Sequence, residues 1–179
     1  MQTVGLLPEN PTPKLRALTV RKPWAFFLAG LVMDEWWDEN EQGSLKFVEN
    51  RSYTPKLNAG DWVIVHVGKG DESKDVIPDI NEMLGANIPV KDAWPKEFTG
   101  KLIAALRYSH TIRSDEECPE DQLFWYSPDS HGWFFDLCIP FDELLDGHKG
   151  NVPLLKLSPE LQAAVWNQIN PVMVEIENE

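Results

Sequence analysis

The sequence predicts an α+β, mainly β fold: a small closed or partly closed β-barrel of about five to seven strands with flanking helices. Three observations carry that expectation. Long strand-like runs dominate, and they fall in the order β-α-β-β-(α)-β-β-β-α. No two of them are joined by a regular strand–helix–strand crossover. One run, Trp62-Val63-Ile64-Val65-His66-Val67, is almost continuously apolar, the pattern of a strand buried on both faces.

Taken in order, residues 1–16 carry three prolines and little periodicity, and read as an N-terminal arm. Ala17–Arg21 is a short strand, and Pro23 suits the first turn of a helix over Trp24–Ala29 that stops near Gly30. An acidic stretch with Trp36 and Trp37 follows, an insert at 31–45. Two adjacent tryptophans cannot share one helix face. Lys46–Tyr53 is the second strand, and Gly60-Asp61 opens the third, ending at Gly68-Lys69-Gly70. Asp79 is placed to cap a short helix through Leu84, closed by Gly85. Leu102–Tyr108, Gly132–Ile139 and Val152–Leu157 are further strands. Ser158-Pro159-Glu160 gives a cap, a first-turn proline and an early acid, and Leu161, Ala164, Val165 and Ile169 form the stripe of the last helix. The domain so defined spans 17–170, and the tail 171–179 after Pro171 either adds a strand or frays.

At 179 residues the chain is long enough for one domain with a real core. No apolar run reaches the ~20 residues of a membrane helix, and the start has no basic-then-apolar pattern, so a cytoplasmic location is expected. Cys118 and Cys138 make no disulfide framework and no zinc spacing, and both read as free thiols, Cys138 in a packed strand. His66, His110, His131 and His148 are dispersed, with no paired metal spacing, so no metal and no cofactor are expected. Nucleophile elbows, phosphate loops and dinucleotide fingerprints are absent. The net charge of −13 argues against tight, nonspecific coating of nucleic acid, yet leaves room for a local basic cleft. The acids gather in Asp34–Glu41 and in Asp115-Glu116-Glu117 with Glu120-Asp121.

The segment Lys46-Phe47-Val48-Glu49-Asn50-Arg51 is the most unusual. Alternation puts Lys46, Val48 and Asn50 on one face and Phe47, Glu49 and Arg51 on the other, so charge goes to both. Read alone, it is either an exposed edge strand with a weak Glu49–Arg51 surface pair or a functional strand. Its neighbours shift the balance. Leu18–Ala25, Lys46-x-x-Glu49-x-Arg51, Val65–Gly70, and Gly132-Trp133 with Lys149-Gly150 together resemble, in order and spacing, the ASCH domain of the PUA-like superfamily. The resemblance spans about residues 17–166. It implies a small PUA-like barrel with a cleft for RNA or a nucleotide-like ligand, and some such proteins act on RNA or on modified nucleosides. Two departures stand out. The insert at 31–45 separates Gly30 from Lys46, and if Gly43 takes the part of the glycine before the hallmark lysine, the spacing is one residue too long. The insert is placed to lie over the cleft and restrict phosphate. Members that hydrolyse N4-acetylcytidine resemble K-x-x-T-x-R, and Glu49 stands where their threonine would be, so the resemblance does not carry that activity here.

The candidate site follows residue by residue. Arg21 and Lys22, at a strand-to-helix junction, either bind phosphate or are solvated cations. Trp24 either stacks on a base or is core. Lys46 and Arg51 can hold a phosphate or a carbonyl, with Asn50 beside them. Glu49 can accept from an exocyclic amine, act as a general base, or simply hold Arg51. His66 is an acid/base or a core histidine, and Lys69 lies between glycines whose N–H groups can converge on an anion. Trp133, alternating with Phe135 and Leu137, reads as core. Three readings result. The first is a module that binds single-stranded RNA or a nucleotide-like small molecule. The second is a metal-independent ribonuclease or modified-nucleoside hydrolase at the same site, with Lys46, Glu49 and His66 as its catalytic set. The third is an acidic interaction module that competes for a basic protein partner through the insert.

Overall fold

The computed structural model describes residues 12–37, 46–150 and 153–178. Six strands, β1 (Leu15–Lys22), β2 (Val48–Arg51), β3 (Trp62–Asp71), β4 (Leu102–Ile112), β5 (His131–Leu145) and β6 (Leu155–Lys156), form one sheet in the order β2-β5-β4-β3-β1-β6. Three helices flank it: α1 (Trp24–Leu28), α2 (Ser73–Leu84) and α3 (Pro159–Glu177). All neighbours are antiparallel except β1 and β3, which run parallel, with α1, the insert and β2 in the connection between them. The sheet curls into a half-barrel. Its edge strands β2 and β6 are not paired with each other, so the barrel is the partly closed form of the expected class.

The alternating core explains why β3 reads as almost wholly apolar. Val63, Val65 and Val67 join a large cluster with α1, α2 and the aromatics Trp94, Trp125 and Trp133. Trp62 and Ile64 face the other way and pack with Val165 and Ile169 of α3. Each face of β3 thus needs its own apolar set, as a strand covered on both sides does. Trp133 is fully buried, as expected for core, and its Nε1 donates to the Tyr53 carbonyl at 2.8 Å. The half-buried Cys138 thiol donates to the Leu28 carbonyl at 3.3 Å, and desolvation pushes its pKa up to about 12.

Several boundaries differ from the sequence expectation. Pro23 stands one residue ahead of α1 as its cap. The helix α2 begins at Ser73, six residues before Asp79, and carries Pro78 inside it, although Gly85 ends it with φ 62° as expected. The strand expected over 152–157 is only Leu155–Lys156 among the described residues. Pro171 neither ends the last helix nor starts a strand. The helix runs on to Glu177, because Val172 and Met173 still pack against the core on its far side. Of the insert, residues 34–36 form one 3-10 turn, and Trp36 and Trp37 both pack on the main core, which an irregular segment permits and a helix would not. Trp36 sits edge-on to Trp94 with ring centroids 5.5 Å apart. The rest of the insert, 38–45, lies outside the described residues. No described helix is long and apolar enough to cross a membrane.

Candidate ligand cleft at the barrel seam

The half-barrel leaves a seam between edge strand β2 and the β1/β3 pair. A cavity of about 970 Å³ opens there, lined from β1, β2, β3, the start of α1 and the segment His148–Gly150. Its inner wall is a short chain of charge. Arg51 Nη2 lies 2.7 Å from Glu49 Oε1, and Lys46 Nζ lies 3.3 Å from Glu49 Oε2. Lys46 also donates to the Val48 carbonyl. Lys46 is 4% exposed and Glu49 7%, so this is a buried pair and not the weak surface pair that a bare edge strand would show. Arg51 reaches across the seam and donates to the Thr19 carbonyl of β1 at 3.3 Å, which joins the two sides where backbone pairing fails. Burial lowers the Lys46 pKa, and Glu49 opposes that shift.

Strict alternation along 46–51 does not hold. Lys46 precedes β2, which begins at Val48, and its side chain runs forward along the strand to meet Glu49. Asn50 is committed to structure: its amide donates to the Trp125 carbonyl at 2.7 Å and its carbonyl accepts from Ser127 N and Ser130 Oγ, both at 2.9 Å.

Trp24 is half-buried: it packs against the main core and also lines the cavity. Its Nε1 donates to Glu72 Oε2 at 2.8 Å, and Lys46 Nζ is 6.0 Å from the ring centroid. The other carboxylate oxygen of Glu72 pairs with Arg21 at 2.7 Å. Those two partners hold the Glu72 carboxyl below its ordinary range. Sequence reasoning missed Glu72, and no local pattern marks it, since its partners lie about fifty residues away. Lys22 is not part of the cavity lining and faces Asp71 at 3.9 Å. The five-residue α1 is too short to present an anion site at its start. Lys69 lines the cavity, exposed, but not from a loop: β3 continues through Gly68 and Gly70 to Asp71, so no convergent nest of N–H groups forms. Residues 31–37 do not line the cavity, so the described part of the insert is no lid.

At the far end His66 is 5% exposed, and Thr19 Oγ1 lies 3.1 Å from its Nδ1. The dispersed His148 returns to it, with ring centroids 5.2 Å apart. A Cβ added to Gly150 would fall 2.5 Å from His66 Cε1, so only glycine lets that backbone lie on the imidazole. The Lys149-Gly150 pair was legible in the sequence; its packing on His66 was not. No cluster of three or more metal-ligating side chains occurs among the described residues. Burial first, and His148 second, push the His66 pKa below 6.5, and burial lowers His148 as well. The unfolded chain therefore binds protons that the folded state resists. Stability is expected to hold above about pH 6.5 and to fall as pH drops below it, until the depressed folded pKa is passed. Thermal unfolding between about pH 7.5 and 5 checks this, and His66→Asn should flatten part of the slope. A flat wild-type profile across that range would contradict it.

A curled half-barrel with flanking helices and a cleft at its seam is the small α+β architecture that the ASCH resemblance implies. No family model matches the chain, and no curated protein does. Among solved structures, a mutant of the ZmASCH protein from Zymomonas mobilis is similar at TM-score 0.48 and 10% identity, over 88% of this chain and 98% of that one. A likeness of that size says nothing about ligand or chemistry, so the site has to be read from its own residues.

Proposed function

We propose that this protein binds RNA or a nucleotide through the seam cleft, taking one nucleotide unit at a time. The charge balance of the cavity carries the reading. Arg21, Lys46, Arg51, Lys69 and Lys149 face it against only Glu49 and Glu72, a local excess of three positive charges in a chain of net −13. Such a focus attracts a small anion while the remaining surface repels a long one. Trp24 adds a flat aromatic wall of the kind that takes a base. Lys46 and Arg51 supply donors for a carbonyl or phosphoryl oxygen, and Glu49 supplies the acceptor for an exocyclic amine.

The test is calorimetric titration of nucleosides, nucleotides and short single-stranded RNA into wild type and Arg51→Ala. Arg51→Ala is expected to weaken binding at least ~10-fold, since a charge-assisted hydrogen bond is lost. Its folding should survive, because Glu49 keeps Lys46 and the Arg51 head is partly solvated. A variant that no longer unfolds cooperatively would make Arg51 a structural clamp. Undiminished binding in a folded variant would remove it from the site.

A further inference from the structure

Not all five cations of the cavity are free to meet a ligand. Arg21 is held by Glu72, and Lys46 and Arg51 share Glu49. Lys69 and Lys149 line the same cavity, both exposed, and neither has a carboxylate within ion-pair distance among the described residues. The cleft is therefore polarised. Around Trp24, the Arg21–Glu72 pair and the Lys46–Glu49–Arg51 chain leave one positive charge in excess, and Lys69 and Lys149 add two that have no carboxylate partner among the described residues.

We infer that the ligand carries a terminal phosphate monoester, held at the mouth by Lys69 and Lys149, with its uncharged base turned inward to Trp24, Glu49 and Arg51. This deepens the nucleotide-binding reading and rests on it. A phosphate monoester brings about two negative charges at neutral pH, an internal diester one. Two free lysines match the monoester. An internal diester would also draw the rest of its strand over a surface more negative than the whole chain's −13, since the cavity holds an excess of cations. Two sources offer the same group: a free mononucleotide and the phosphorylated end of an RNA.

The experiment compares adenosine, cytidine, guanosine and uridine with their 5′-monophosphates, and a short oligoribonucleotide with and without a 5′-phosphate. Each is titrated at low salt into wild type and into the Lys69→Ala/Lys149→Ala double variant. Both lysines are exposed, so the double variant should fold. The expected result is a wild-type preference of ~10-fold or more for the phosphorylated form of at least one pair, collapsing toward unity in the double variant. The preference appearing with mononucleotides identifies the free nucleotide as source, and with the oligonucleotide pair, the RNA end. Equal affinity for both forms in wild type, or a preference that survives the double substitution, overturns the phosphate inference while leaving nucleotide binding standing. No binding of any of these ligands sinks the underlying reading as well.

Discussion

Glu49→Ala is expected to destabilise the fold by about 3–5 kcal/mol, the usual cost of removing one partner of a buried ion pair. Glu49 is the carboxylate shared by Lys46 and Arg51, and it is 7% exposed. Without it, two cations face each other at the seam, and Lys46, 4% exposed, has little water to turn to. Lys46 also loses the influence that holds its pKa up against burial. The sign of the pH response follows. A lysine whose folded pKa lies below its unfolded value binds fewer protons when folded, so stability rises with pH through that window. Chemical denaturation of Glu49→Ala should thus show a deficit at neutral pH that shrinks toward about pH 9. Replacing both partners, as Lys46→Met with Glu49→Ala, should recover much of the loss, because Arg51 remains partly solvated. A deficit below about 1 kcal/mol in the single variant would mean that the triad is solvated and behaves as a surface pair.

The same triad shows what a sequence can and cannot disclose. Charge on both faces of 46–51 marked the segment as more than a core strand, and that signal is local. The geometry is not. Lys46 meets Glu49 because the chain has not yet entered β2, a boundary decided by the pairing of Val48 with Phe134 of β5. The almost unbroken apolar run of β3 disclosed its central place, since both faces need cover. The half-barrel was legible for a related reason: long strands without regular crossovers have few other ways to bury two faces. Glu72 and His148 were not legible as site residues. Each reaches the cleft through tertiary contacts, Glu72 with Arg21 and Trp24, His148 with His66, and no spacing rule encodes such meetings. Two glycines flanking Lys69 suggest a strand end, yet β3 continues through them to Asp71. Here they let strands approach closely: a Cβ on Gly68 would come within 3.1 Å of Thr19, and one on Gly70 within 3.0 Å of Arg21. Proline breaks an isolated helix, but after Pro171 the packing of Val172 and Met173 against the core outweighs the lost hydrogen bond.

Trp133→Ala is the second large effect, and it ties stability to the site. Trp133 is fully buried on β5 and stands directly opposite Glu49 in the β2–β5 pairing. Its indole donates to the Tyr53 carbonyl just past β2, and its ring meets the Tyr53 ring edge-on at 5.3 Å. One side chain therefore pins both the middle and the exit of the four-residue edge strand that carries Glu49, Asn50 and Arg51. Truncation leaves a cavity and an orphaned carbonyl, together expected to cost about 3–5 kcal/mol. Trp133→Phe, which keeps most of the volume but not the hydrogen bond, should cost about 1–2 kcal/mol. The distinguishing readout is where the loss appears. If Trp133 anchors β2, amide hydrogen exchange in Trp133→Phe should accelerate first at Val48–Arg51, with β3 and β4 still protected, and ligand affinity should weaken before global unfolding does. Uniform acceleration across the sheet would mean instead that the tryptophan supports the core as a whole, and that the seam is held by the Arg51 bridge to β1 rather than from behind.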